Sequence, residues 1–310
     1  MDKTVRREIH FAWGDVQLAG TLHLPDAPPP HPAILMLQGS GPADRDSDGY
    51  FPPIRDTFLS RGIAVYSFDK PGIGASSGDW RHYALAGRTN QALAAIALLR
   101  GHDDIDPRRV GVWGHSQGGW LVQMIAARLP DLAFAIANSG CAIGVEEQDR
   151  YGCEHTMRAE GKSEEQIERA LAFINAVHAA ALRGDDYASV ERHLLEPSRS
   201  EPWYGYLAVD DAEDWGGISR FVTERYEPAE ALAQAHCPFL ALFGALDVLA
   251  PAWKSAAIYS QSLREAGNQD ATIVVFPQGN HRILLPETGE FAPGYLDLLG
   301  DWAARRVATQ

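Results

Sequence analysis

Polar and apolar side chains alternate along Val16-Gln17-Leu18-Ala19-Gly20-Thr21-Leu22-His23-Leu24, just after the turn signal Trp13-Gly14-Asp15. Period-two alternation on either side of a tight turn predicts an antiparallel hairpin over the first 24 residues. The proline-rich stretch 25–32 ends it. From there the pattern changes to short unbroken apolar runs at residues 33–37, 63–68, 110–113, 132–137, 239–243 and 272–276. Runs of this kind suit strands covered on both faces, as in a parallel sheet.

Helix-like segments separate the runs, around Thr57 and over residues 84–100, 118–129, 253–266 and 293–306, with Pro130 and Gly267 as stop signals. The alternation predicts an α/β fold: a mostly parallel central sheet flanked by helices and joined by right-handed crossovers. One stretch breaks the rhythm. Residues 141–235 hold no convincing strand, and within them residues 163–183 read as a long amphipathic helix opened by the capping pattern Ser163-Glu164-Glu165-Gln166. A segment of that size is too long for a loop. The expected organisation is a catalytic domain built from residues 1–140 and 236–310, with residues 141–235 inserted as a helical cap.

Composition narrows the class. A chain of 310 residues can be one large α/β domain and bury about 75% of its unfolded surface, so it needs no disulfide or metal staple. The formal net charge of −14 argues against nucleic acid and against an acidic membrane surface, because both attract Lys and Arg. Cys141, Cys153 and Cys237 form no CxxC pair and cannot all pair within one chain, which fits a reducing compartment. Residues 1–10 are charged with no apolar signal core, and the apolar stretch 92–99 is too short to span a bilayer. The expectation is a cytoplasmic protein, with a homodimer left open.

Two stretches match Gly-x-Ser-x-Gly, Gly74-Ala75-Ser76-Ser77-Gly78 and Gly114-His115-Ser116-Gln117-Gly118. The motif carries chemistry only where a strand runs into a tight turn and then a helix, which lifts the serine oxygen clear of the sheet. Residues 109–113 supply such a strand before Ser116, and residues 119–125 supply the helix after it. No helical run follows Ser76, which reads as part of a glycine-rich loop.

A serine hydroxyl needs a base to take its proton and a carboxylate to orient that base. The partners should follow in the order Ser, acid, His. Asp247 stands just beyond the run 239–243, and His281 just beyond the run 272–276. Both would reach the crevice where open α/β sheets bind ligands. Asp69 is a rival acid, but it precedes Ser116 in the chain. His115 is too close to the nucleophile to fold back as base, and His155, His178 and His193 fall in the insertion. An acyl intermediate also needs two donors aimed at its oxyanion, each worth about 3 kcal/mol. The candidates are the backbone N–H of Gln117 and that of Ser40, with Gly41 as the alternative, in the turn Gln38-Gly39-Ser40-Gly41-Pro42.

With their strand contexts, Ser116, Asp247 and His281 resemble the α/β-hydrolase superfamily over nearly the whole chain outside the insertion. The stretch Gly39-Ser40-Gly41-Pro42-Ala43-Asp44-Arg45-Asp46, the loop Asp69-Lys70-Pro71-Gly72-Ile73-Gly74-Ala75-Ser76 and Gly279-Asn280-His281 resemble bacterial serine esterases with a GSGP-x-DRD oxyanion loop. These are related to prolyl-oligopeptidase-like and dienelactone-hydrolase-like enzymes. The chain departs from the wider superfamily at Gln38, where many relatives carry His. The resemblance implies hydrolysis of a small-molecule carboxylic ester, a helical cap over the site, and no metal or organic cofactor. A prolyl-oligopeptidase-like peptidase or amidase stands second, since the sequence lacks the N-terminal propeller that admits peptides in those enzymes. A non-catalytic binder of the same fold stands third, because all three triad members are present.

Residues 141–235 contain 20 Asp and Glu against 9 Lys and Arg, a net of −11, so the remaining residues carry only −3. They also hold Trp203, Tyr204, Tyr206, Trp215, Phe221 and Tyr226. Aromatics on an acidic surface suit a bulky neutral or cationic group. The plainer expectation is that the charges are solvated and the aromatics pack the insertion. In either case an acyl-CoA, with its phosphates, is expected to be repelled.

Overall fold

A computed structural model describes residues 5–207 and 209–308. The first four residues of the charged N-terminal segment therefore lie outside the described residues. Eight strands form one sheet: β1 (Val5–Trp13), β2 (Val16–Leu24), β3 (His31–Leu37), β4 (Ala64–Phe68), β5 (Ile105–His115), β6 (Ala135–Asn138), β7 (Phe239–Gly244) and β8 (Ala271–Phe276). Their order across the sheet is β1-β2-β4-β3-β5-β6-β7-β8. The β1–β2 and β2–β4 pairs are antiparallel, and all pairs from β4–β3 onward are parallel. The hairpin turns at Gly14-Asp15, where Gly14 takes the positive φ of 56° that a tight two-residue loop requires.

The unbroken apolar runs are strands buried on both sides. Ala33, Leu35 and Leu37 of β3 enter the core cluster on one face, while Ile34 and Met36 enter the cluster on the other. Helices α1 (Phe51–Leu59), α2 (Leu85–Arg100) and α3 (Gln117–Arg128) follow β3, β4 and β5 in turn. Pro52 and Pro53 sit in the first turn of α1, where a missing N–H costs no helical bond.

Between β6 and β7 the chain is helical: α4 (Val145–Ala159), α5 (Glu164–Arg183), the short α6 (Tyr187–Val190) and α7 (Glu196–Ser198), then α8 (Ala212–Thr223) and α9 (Pro228–Leu232). Helix α5 opens with a full capping box: the Ser163 hydroxyl accepts from the Gln166 N–H, and the Gln166 side chain accepts from the Ser163 N–H. The insertion has its own core, with Ile167, Phe173, Val177, Trp203 and Trp215 in a cluster separate from the two that flank the sheet. Helices α10 (Ala252–Glu265) and α11 (Tyr295–Ala308) complete the fold.

Several boundaries differ from the sequence reading; β6, for one, starts at Ala135 although the apolar run begins at Leu132. Strand β5 begins at Ile105, five residues before the apolar run, because Ile105 pairs with His31 across a register shift and the intervening Asp106, Arg108 and Arg109 are polar. Helix α11 starts at Tyr295, since Gly294 adopts φ 80° just before it. Among the described residues no helix is long and apolar enough to cross a membrane, and Cys141, Cys153 and Cys237 are free and buried.

Candidate active site

Ser116, Asp247 and His281 all lie just beyond C-terminal strand ends, after β5, β7 and β8. Ser116 stands between β5 and α3 with φ 54° and ψ −119°, a conformation L-residues rarely adopt. Two glycines make that turn possible. A Cβ on Gly114 would fall on the Gly118 carbonyl, and one on Gly118 would fall on the Leu37 carbonyl. The Ser116 N–H donates to the Asn138 carbonyl of β6 at 2.8 Å, which fixes the elbow against the sheet.

The Asp247 carboxylate is shielded from solvent and fully used. Its Oδ1 accepts the N–H groups of Leu249 at 2.7 Å and Ala250 at 2.9 Å, and its Oδ2 accepts from His281 Nδ1 at 2.7 Å. An ionised carboxylate cannot donate, so His281 carries its proton on Nδ1 and presents Nε2 as an acceptor. Ser116 and His281 line one cavity of about 430 Å³. Among the described residues no hydrogen bond joins the Ser116 hydroxyl to the His281 ring, a contact that in serine hydrolases can tighten only in the Michaelis complex.

Ser40 and Gln117, the residues of the two candidate oxyanion donors, line the same cavity. Gln117 is the first residue of α3 and its N–H has no acceptor within the helix. Ser40 lies in the loop after β3, beside the nucleophile: a Cβ on Gly39 would stand 3.2 Å from Ser116 Cβ. The rest of the wall is largely apolar, with Trp80, Tyr83, Trp120, Ile218 and Phe221 prominent. Ser139, at φ 51°, adds a buried hydroxyl that has no partner among the described residues.

A model of the alpha/beta hydrolase family matches residues 34–293. The chain belongs to the alpha/beta hydrolase family. An uncharacterized 31.7 kDa protein of Escherichia coli, from the traX-finO intergenic region, is 23% identical over 249 residues, 78% of this chain and 82% of its own length. The 2,6-dihydropseudooxynicotine hydrolase of Paenarthrobacter nicotinovorans is 32% identical over 120 residues, 38% of this chain and 31% of its own. An esterase of Pyrococcus furiosus shares the fold with a TM-score of 0.66 at 14% identity, covering 98% of this chain and 91% of its own.

Within this hydrolase fold the other sequence candidates have structural employment. The Ser76 hydroxyl donates to the Asp69 carbonyl at 2.8 Å and accepts the Ala19 N–H at 2.9 Å, tying its loop to β2. Asp69 binds Arg45 in a fork, with 3.0 Å to Nε and 2.7 Å to a terminal nitrogen, and also accepts the N–H groups of Arg45 and Ala75. Burial alone would raise its pKa, but the bonds from Arg45 and Ala75 win and hold it below the ordinary carboxylate value. Ser76→Ala should therefore leave reaction with a fluorophosphonate probe intact. Loss of labelling in the folded variant would move the nucleophile to Ser76.

His155 stacks on Tyr151 at 3.7 Å, His178 bonds Asp149 at 3.0 Å, and His193 is exposed. His115 is buried beneath His281, with ring centroids 4.9 Å apart. The Asn138 amide meets its Nδ1 at 3.3 Å. Burial, together with the nearby His281 and Arg282, holds its pKa well below the ordinary value and keeps it neutral.

Of the insertion's acidic residues only Asp149 and Asp214 reach the cavity wall, and each is already engaged, with His178 and Arg81. Of its six singled-out aromatics only Phe221 lines the cavity. Trp203, Tyr204 and Trp215 lie in the insertion's own core, Tyr206 packs against it, and Tyr226 bonds Gln123 at 2.7 Å. Sequence reasoning also passed over Lys70 and Arg88, two buried cations against the loop after β3, of which Arg88 also reaches the cavity wall. A charge following Asp69 and an Arg in the first turn of a largely apolar helix were the available signals.

Proposed function

We propose that this hydrolase cleaves carboxylic esters through an acyl-enzyme. Ser116 attacks the ester carbonyl while His281 Nε2 takes its proton. Asp247 keeps the imidazole in the productive tautomer and stabilises the imidazolium. The N–H groups of Gln117 and Ser40 receive the oxyanion. His281 then returns the proton to the departing alcohol, and water repeats the sequence to release the acid. The observation that carries this reading is the 2.7 Å bond between a fully satisfied Asp247 and His281, with the strained Ser116 in the same cavity.

Residues 141–235 serve in this reading as a cap, since Val145 and Gln148 of α4 and Ile218, Phe221 and Val222 of α8 contribute to the cavity wall. A largely apolar space of about 430 Å³, whose insertion carboxylates are both engaged, favours a compact neutral acyl or alcohol group. The test combines fluorophosphonate labelling with two substrates. The protein should be labelled at Ser116 and should hydrolyse a short p-nitrophenyl ester in preference to the matching anilide. Absence of labelling would indicate a binding protein on a hydrolase fold, and comparable anilide turnover would indicate an amidase.

A further inference from the structure

Lys70 and Arg88 are almost completely buried and form no ion pair among the described residues. Both are directed at main-chain carbonyls of the loop after β3. The Lys70 ammonium donates to the carbonyls of Gly39 and Gly41. The Arg88 guanidinium reaches the carbonyls of Gln38 and Gly39, each at 3.4 Å. The Gly39 carbonyl thus receives two cations. In a planar trans peptide the carbonyl and the following N–H point in opposite directions. Drawing the Gly39 carbonyl toward Lys70 and Arg88 therefore turns the Ser40 N–H the other way, and Ser40 lines the same cavity as Ser116, to whose wall Arg88 also contributes.

We infer that Lys70 and Arg88 are positioning residues that fix and polarise the Gly39–Ser40 peptide as an oxyanion donor. The inference rests on the reading of Ser40 as one half of the oxyanion hole. Burial costs both cations dearly, and mutual repulsion adds to it for Lys70: burial and Arg88 together push the Lys70 pKa well down, and burial pushes that of Arg88 down. Among the described residues no carboxylate repays that cost. Negative charge on the substrate's carbonyl oxygen would repay part of it, because the Gly39–Ser40 peptide dipole, held and polarised by the two buried side chains, is already aligned in a low-dielectric interior. Such an interaction strengthens only as the tetrahedral intermediate forms, so it should raise kcat more than it lowers KM.

The rest of the loop is built to hold this arrangement. Gln38 sends its amide to the carbonyls of Phe68 at 2.5 Å and Asp44 at 3.0 Å, anchoring the loop at its start. The Lys70 ammonium also lies 5.9 Å from the centre of the Trp80 ring, a second non-carboxylate contact.

The experiment compares wild type with Lys70→Met, Arg88→Met and Arg88→Lys, using a p-nitrophenyl ester and a trifluoromethyl ketone, which forms a reversible tetrahedral adduct with a nucleophilic serine. In each methionine variant kcat should fall by about 10- to 100-fold with KM within about threefold, and ketone affinity should fall in proportion to kcat. Arg88→Lys keeps the charge but loses the fork, and should fall between wild type and Arg88→Met in both readouts. If a methionine variant does not fold, Arg88→Lys decides alone: a fall in kcat matched by ketone affinity, with KM within about threefold, supports the inference, and ketone affinity equal to wild type overturns it. Folded variants whose ketone affinity equals that of wild type, or whose loss lies wholly in KM, would overturn the inference. Failure of the wild type to be labelled at Ser116 would instead overturn the underlying reading.

Discussion

Ser116→Ala should lower kcat for ester hydrolysis by about 10⁶-fold and abolish fluorophosphonate labelling, while the protein remains folded. The size follows from how little else can replace the hydroxyl. Ser76 is committed to Asp69 and Ala19, and Ser139, though free in the wall, has no base bonded to it among the described residues. The same residue makes a stability prediction. Its φ of 54° with ψ −119° costs on the order of 1–3 kcal/mol, which alanine would bear and glycine would not. Ser116→Gly should therefore unfold at a higher denaturant midpoint than Ser116→Ala, with the same loss of activity. Residual turnover above about 1% in purified Ser116→Ala would move the nucleophile elsewhere.

The parallel strands are legible in the sequence because both faces of each are covered, so no polar residue interrupts the apolar run. Where a strand extends beyond the core that signal ends: Ile105 pairs with His31, but Asp106 and Arg108 conceal the pairing. Ser116, Asp247 and His281 are legible for a related reason. Each lies immediately after an apolar run, so local pattern and position in the sheet coincide. Lys70 and Arg88 are not legible in that way. One follows β4 and the other sits on α2, and their relation exists only because both elements pack behind the loop after β3. The charge pattern is legible in its plainer form: most carboxylates of residues 141–235 lie away from the cavity wall, and the two that reach it are engaged. Beside the loop after β3 stand two buried cations, Lys70 and Arg88, with no carboxylate partner among the described residues, so composition does not report the charges placed around the nucleophile.

The orientation of the imidazole is set by Asp247, and Asp247→Asn tests it most directly. Oδ1 of Asp247 accepts two backbone N–H groups, from Leu249 and Ala250, so in the variant this position must remain an oxygen. The new amide nitrogen is then forced onto the other side, facing His281 Nδ1, where the carboxylate oxygen stood at 2.7 Å. Two donors cannot share that contact, so the ring must give up its Nδ1 proton and carry it on Nε2 instead. An imidazole in that tautomer offers a proton to Ser116 when it should accept one. The fold would be retained, since every backbone bond to the side chain survives, while kcat should fall by about 10⁴-fold with little change in KM. Asp69→Asn is the matching control: its carboxylate serves Arg45, so its substitution should lower stability before it lowers kcat in the folded fraction. A loss below tenfold in folded Asp247→Asn would remove Asp247 from the triad and leave the orientation of His281 to some other group.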